Sequence, residues 1–314
     1  MRSINSIPVI LILSAIIFPG CIGTKFGSAN KKEALNMKIK EQPDVINYAV
    51  LQRQEVPNLA SRGDKGRGPL SGLAGGAISL ATSAIKQMIA NDKKKYTAQY
   101  EFALTDLYFY DQLSTEGPFD PIGMQFSGFK VVRTFDNKGV RDTALIAEFE
   151  LDVENPYEVI NNSVFRLRLK SLELNYAKAK IAAGNKNLLN MDFEITFHTS
   201  YVNAEGHLFK AVELGTFYFF LRKAPLDKDT EEHAAYYEKL KGKKLEGQSF
   251  IVPRSFGYHI TGQNLTEPVY SQGAYIIDVK VKESSKNSFV NQLAIDNSGK
   301  LMDALGDQLK KKIK

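Results

Sequence analysis

The side chains that most often carry chemistry are few in this chain and stand apart. Its four histidines are His198, His207, His233 and His259, and none falls at the i, i+4 spacing that sets two imidazoles on one helix face for zinc. His198 and His207 flank the turn-prone run Asn203, Ala204, Glu205 and Gly206, so they could face one another across a hairpin and share a metal; a packed or surface-strand histidine is the alternative for each. Ser83 and Lys86 have the Ser-x-x-Lys spacing of an acyl-enzyme nucleophile and its base, but no Lys-Thr-Gly partner accompanies them. Asp227, Asp229 and Glu231 alternate like the start of a calcium loop, yet the sixth position lacks the glycine that such a loop needs for its sharp turn. There is no Ser-centred nucleophile elbow, phosphate loop or dinucleotide fingerprint. The expectation is a non-enzyme with no catalytic residue, no metal site and no cofactor.

One group has chemistry of another kind: the thiol of the single cysteine, Cys21. The apolar run 7–18 precedes it, Arg2 stands ahead of that run, and Gly20 sits immediately before the cysteine. The run has the length of an export signal and falls short of the roughly 20 residues of a spanning helix. This arrangement resembles the signal of bacterial lipoproteins, with Phe18 and Pro19 departing from the family's usual Leu and Ser or Ala. The resemblance implies a signal peptide over 1–20, cleavage before Cys21, and acylation of its thiol and new amino group, palmitate being a typical chain. Two or three acyl chains make a durable membrane anchor. Ile22 in place of Asp implies, by the sorting habit of enterobacterial lipoproteins, the outer membrane of the cell envelope, with the body facing the periplasm or the outside. An uncleaved helix with a structural cysteine is the alternative. With Cys21 acylated no disulfide can form within the chain, so the fold must rest on its core, which a 43% hydrophobic chain of 314 residues can supply.

The formal charge of +6 is spread over a Lys-rich tether, linkers and tail. A nucleic-acid protein would gather such charge on one face, and no nucleic-acid partner is expected. The chain has no tryptophan, which disfavours a carbohydrate platform. Runs of large rings at Tyr108, Phe109 and Tyr110 and over 217–220 place aromatics on both faces of their strands, as in a covered central strand or an exposed adhesive one.

These residues have to be positioned by five stretches of chain. Residues 21–67 read as tether and linker, rich in Gly, Ser, Asn and Lys and poor in apolar residues over 22–37; the linker carries Arg62, Gly63 and Asp64, an adhesion-type tripeptide common by chance in basic linkers. Residues 68–92 read as a Gly/Ala-rich helix, with Pro69 in its first turn and Gly68, Gly72 and Gly76 on one face where another backbone can approach closely. That face could pack on the protein's own sheet, join copies together, or meet the membrane.

Residues 93–285 change to period two. Leu145, Ala147, Phe149, Leu151 and Val153 oppose Ile146, Glu148, Glu150 and Asp152; Phe193, Ile195 and Phe197 oppose Glu194, Thr196 and His198; Tyr275, Ile277, Val279 and Val281 oppose Ile276, Asp278, Lys280 and Lys282. Alternation of this kind marks half-buried strands of antiparallel sheet. Asp136, Asn137, Lys138 and Gly139, and again 203–206, carry hairpin chemistry, and the parity of apolar residues switches between Leu169 and Leu172, which predicts a bulge or bend. A short helical insertion is expected near 229–242, with its helix over 231–240, and 286–314 reads as a C-terminal amphipathic helix with Leu301, Leu305, Leu309 and Ile313 in line. The fold expected is therefore mainly β, an antiparallel β-sandwich with a Gly-striped helix before it and an amphipathic helix after it. Within it, Val153, Glu154, Asn155 and Pro156 close an alternating strand in a way that resembles the LEA-14/WHy-type β-sandwich family over about thirty residues; that resemblance implies a binding or protective module without a catalytic site.

Together these features predict a lipid-anchored, non-enzymatic structural or assembly component of an envelope complex, with the membrane and envelope proteins as partners. A lipoprotein binding an apolar or peptide ligand is the alternative, and a hydrolase with a spatially assembled site the third.

Overall fold

The computed structural model describes residues 26–27, 32–41, 94–119, 124–152, 165–182, 186–247, 250–261 and 265–286. Across them the chain is mainly β, built from antiparallel sheets with no closed barrel. Strands β1 (Glu33–Glu41), β3 (Phe126–Asn137), β4 (Val140–Leu151) and β5 (Leu167–Leu174) form a four-stranded sheet in the order β1-β3-β4-β5. Strands β2 (Thr97–Asp106), β11 (Tyr275–Ser284), β6 (Leu188–Val202), β7 (Leu208–Pro225) and β8 (Glu246–Gly247) form a five-stranded sheet in the order β2-β11-β6-β7-β8. Strands β9 (Phe256–Thr261) and β10 (Leu265–Tyr270) form a separate two-stranded sheet. The helix α1 (Glu231–Glu238) follows β7. No helix among the described residues is long and apolar enough to cross a membrane.

Alternation builds both sheets. In β4, Leu145, Ala147, Phe149 and Leu151 are buried while Ile146, Glu148 and Glu150 stay half-exposed; β11 does the same with Tyr275, Ile277, Val279 and Val281. These inward residues join one core in which rings from the two sheets meet edge to face: Phe149 of β4 lies 5.8 Å from Phe193 and 6.4 Å from Phe219, and Phe126 of β3 lies 5.9 Å from Phe197. Such pairs add about 0.5–1.5 kcal/mol each beyond the area they bury.

The turns follow their residue types. The β3–β4 hairpin closes through Lys138 and Gly139, both at positive φ, and the Gly139 N–H donates to the Asp136 carboxylate at 2.7 Å. Between β6 and β7, the Asn203 side chain accepts the His207 N–H at 2.8 Å, and Gly206 takes φ +82°. The bulge expected between Leu169 and Leu172 is present: Glu148 pairs with Ser171 and Phe149 with Leu169, leaving Lys170 as the extra residue of β5. α1 starts from Thr230, whose hydroxyl accepts the His233 N–H, and it ends two residues short of the expected helix.

Three stretches differ from expectation. Residues 33–41, inside the presumed tether, form β1: Leu35, Met37 and Ile39 recur at period two, and Met37 and Ile39 pack on the core. Tyr108, Phe109 and Tyr110 lie beyond the end of β2, where Phe109 and Tyr110 are both buried and Tyr108 is exposed. His198 pairs with Glu213 of β7 while His207 closes the turn against Asn203, so the hairpin does not bring the two imidazoles together. Cys21, the Gly68, Gly72 and Gly76 face, the Ser83 and Lys86 pair, Arg62 to Asp64, the Val153 to Pro156 strand end and the C-terminal line from Leu301 lie outside the described residues.

One glycine is fixed by close approach. Gly128 of β3 has φ +150°, and a Cβ there would lie 2.1 Å from the Phe149 carbonyl oxygen. Gly128→Ala is expected to lower stability by about 3 kcal/mol, whereas Gly257→Ala, with open space and ordinary φ, stays within about 0.5 kcal/mol; urea unfolding of both variants checks the contrast.

Candidate functional site

Two buried arginines organise the polar groups of the molecule. Arg133 occupies an inward position of β3 and is 0% exposed. Its guanidinium donates to Glu33 of β1 at 2.9 Å, to Glu283 of β11 at 3.2 Å, and to the Tyr176 carbonyl. Glu283 is itself saturated: its other oxygen accepts the Lys178 and Ala179 N–H groups at 2.7 and 2.9 Å, and the Tyr100 hydroxyl of β2 donates to it at 2.9 Å. Burial pushes the Tyr100 hydroxyl well above the usual tyrosine range; Arg133 opposes that shift and Glu283 adds to it. Burial also works against the Arg133 charge, but Tyr100, Glu283 and Glu33 overcome it. The two terminal guanidinium nitrogens of Arg133 are bonded and only the buried Nε lacks a partner, so the chemistry of the cluster is that of a clamp between β1, β2, β3 and β11.

Arg254 is the second arginine, again 0% exposed. It lies 4.0 Å over the Tyr110 ring, its N–H donates to the Pro118 carbonyl at 2.9 Å, and its guanidinium reaches the Gln112 carbonyl. The Tyr110 hydroxyl donates to the Val252 carbonyl at 3.0 Å. Ser114 and Tyr270 exchange both backbone bonds, and Val202 N–H donates to the Ser255 hydroxyl at 3.0 Å. These bonds fix the base of the β9–β10 hairpin against the 107–119 segment and the end of β6.

From that fixed base the hairpin exposes an apolar face. Phe256 and Tyr270 pair at the root, 5.4 Å between ring centroids, and Tyr258 opposite Pro268 and Ile260 opposite Thr266 continue the same face outward. Tyr258 is 69% and Ile260 70% exposed. Leu107, Tyr108, Leu113, Leu208 and Phe209 are also exposed at this end of the five-stranded sheet, and Phe209 stacks on Tyr201 at 4.9 Å. Sequence reasoning did not single out this hairpin; its signal is the period-two run Phe256, Tyr258, Ile260, in which nothing marks which face is left uncovered.

The remaining candidates are local. His198 Nδ1 stands 3.3 Å from Asp278 on the outer face of the five-stranded sheet. His233 packs on Tyr237 within α1, and His259 lies opposite Glu267 in the hairpin. Asp227 caps its own turn, taking the Asp229 N–H at 3.3 Å, and does not open a cation loop. Among the described residues no group of three or more His, Cys, Asp or Glu is gathered to hold a metal. Burial raises the Asp192 carboxyl above its usual range against the pull of Arg222, its partner across the β6–β7 pair.

One prediction tests the clamp and a second the buried tyrosines. Glu283→Ala leaves Glu33 as the one carboxylate bonded to the buried Arg133 and is expected to cost about 3–5 kcal/mol of unfolding free energy, read by urea denaturation. The second concerns alkali: burial raises the Tyr100 and Tyr237 hydroxyls above their unfolded value. Their contribution is complete below about pH 10 and is lost as pH climbs from there toward the folded values, at up to about 1.4 kcal/mol per pH unit for each tyrosine. Stability measured between pH 9 and about 11 should fall for the native chain and fall less steeply for Tyr237→Phe. Comparison of the chain with protein-family models, with curated proteins and with solved structures finds no match.

Proposed function

We propose that this chain is a lipid-anchored protein of the bacterial cell envelope, held at the outer membrane through acylated Cys21, and that it acts without catalysis as a structural or assembly component of an envelope complex. Its two sheets close as a β-sandwich around the shared aromatic core, which supports a rigid module as the working part. The anchor rests on the apolar run, Gly20 and Cys21.

The observation that carries the assembly role is the β9–β10 ribbon. A two-stranded hairpin is marginal by itself, and leaving Tyr258 and Ile260 about two-thirds exposed forgoes roughly 1–2 kcal/mol of burial for each. The ribbon is nonetheless held firmly at its root by Arg254 and Ser114. A stiff ribbon with an uncovered tyrosine and isoleucine suits a protein partner, because tyrosine anchors at interface centres and a preordered ribbon loses little entropy on binding.

The test is a pull-down from detergent-solubilised envelopes with mass spectrometry of the mature N-terminus. The native chain should carry acylated Cys21 and retain envelope proteins in stoichiometric amount. Tyr258→Ser/Ile260→Ser should keep its unfolding free energy within about 1 kcal/mol and lose those proteins. Retention of the same partners by the double variant removes the ribbon from the interface; an unmodified N-terminus removes the anchor.

A further inference from the structure

We infer that the lysine-bearing end of the five-stranded sheet is the face that lies on the membrane, where it takes anionic phospholipid headgroups; this rests on the reading of Cys21 as the acylated residue. Several segments converge at that end. β2 begins at Thr97 opposite Ser284, the last residue of β11. The Lys180 N–H donates to the Lys95 carbonyl at 3.3 Å, the Ser285 N–H to the Tyr96 carbonyl at 3.0 Å, and the Ser285 hydroxyl to the Lys180 carbonyl at 2.6 Å. These bonds bring the backbones of Lys95, Lys180 and Lys286 to one junction, with Lys94 next in the chain, and the Lys286 ammonium lies 4.2 Å and the Lys95 ammonium 5.6 Å from the centroid of the half-buried Tyr96 ring. The carboxylates of this junction, Glu33 and Glu283, are already engaged by Arg133 and by Lys178, whose ammonium stands 3.1 Å from Glu33. The junction is therefore basic on its β2–β11 side, while the β6–β7 side of the same end carries Asp227, Asp229, Glu231 and Glu232 beside Lys186, Lys223 and Lys228.

The N-terminal chain joins the fold at the same place. The Ala177 N–H donates to the Phe26 carbonyl at 2.8 Å, and Gly27 pairs in parallel with Ala177, against Ala179 and Ile181. Cys21 precedes Phe26 by five residues, a reach of at most about 18 Å at full extension. Acyl chains on Cys21 thus hold this end close to the bilayer surface. Tyr96, an amphipathic ring between two ammonium groups, is the kind of side chain that settles at headgroup level, and each lysine near an anionic leaflet raises membrane partition roughly fivefold.

The far end of the same sheet has the opposite sign. Its 106–116 segment, the β6–β7 tip and the β9–β10 hairpin carry Asp106, Asp111, Glu116, Glu205, Glu213 and Glu267 against Lys210 and the buried Arg254. An anionic surface attracts one pole and repels the other, so charge and tether select the same orientation, and the apolar ribbon is turned away from the lipid toward a partner.

The experiment uses the full acylated chain reconstituted in vesicles of phosphatidylcholine with phosphatidylglycerol. Because lipid occupies the thiol of Cys21, one introduced cysteine can be labelled uniquely: Lys94→Cys at the lysine pole or Tyr258→Cys at the ribbon, each carrying a fluorophore and read by quenching from nitroxide-headgroup lipid. Quenching at 94 and not at 258 is expected, with loss in vesicles of phosphatidylcholine alone. Adding Lys95→Gln/Lys180→Gln should shift the docked population by on the order of 25-fold, while an unchanged unfolding midpoint shows that the fold is intact. Quenching at 258, none at either site, or equal quenching at 94 without phosphatidylglycerol overturns the inference while leaving the anchor standing. Mass spectrometry of the same sample showing an unmodified Cys21 overturns the anchor, and this inference with it.

Discussion

A guanidinium stripped of water must receive its compensating charge from the fold, and Arg133 receives it from three directions at once. Glu33 arrives on β1, Glu283 on β11, and the Tyr176 carbonyl on the strap that follows β5, while the Tyr100 ring of β2 covers it at 4.9 Å. β3 belongs to one sheet and β11 to the other, so this ion pair joins the sheets across the core. The aromatic packing that joins them elsewhere is non-directional and tolerates sliding. The Arg133 cluster does not, because a shift of one residue would leave a buried charge uncompensated. Position along the strands is set here, and the Phe129, Phe149, Phe193 and Phe219 rings pack at whatever offset the clamp dictates.

The same device is used at the opposite pole for another purpose. Arg254 lies over Tyr110 and bonds to the 112–118 segment, which fixes an irregular stretch that has no sheet ladder of its own. Phe109, just before it, stacks on Phe126 at 5.2 Å and meets Phe165, Phe250 and Tyr275 edge to face. One arginine thus aligns two sheets, and the other stiffens the platform from which the β9–β10 ribbon projects.

Much of this architecture is legible in the residues. The alternation in β4, β6 and β11, both hairpin turns and the β5 bulge are local signals, and local signals survive translation into structure. The clamp is half legible. Arg133 continues the inward parity of Phe129 and Val131, and Glu283 that of Val279 and Val281. A charge at an inward position asks for a partner, but the two stand 150 residues apart and no spacing rule links them. β1 is hard to read because Glu, Asn and Lys alternate with its apolar residues and give it the composition of a linker. Tyr108 to Tyr110 suggest a two-faced strand because three rings in a row fit that pattern, whereas the chain leaves the ladder at Asp106 and buries two of them through turns. For the candidate site, the exposure of Tyr258 and Ile260 depends on what fails to cover them, which is a property of the whole fold and not of the segment.

The strand order carries a consequence in time. β2 has its ladder partner in β11, and the Tyr100 to Glu283 bond spans 183 residues. A chain emerging from its N-terminus holds β2 without a neighbour until almost the whole domain has been delivered, and the Arg133 clamp can close only after that. Such long-range closure makes folding slow and leaves strand edges open meanwhile. The last strand to arrive, β11, is therefore the one that gives β2 its place in the sheet.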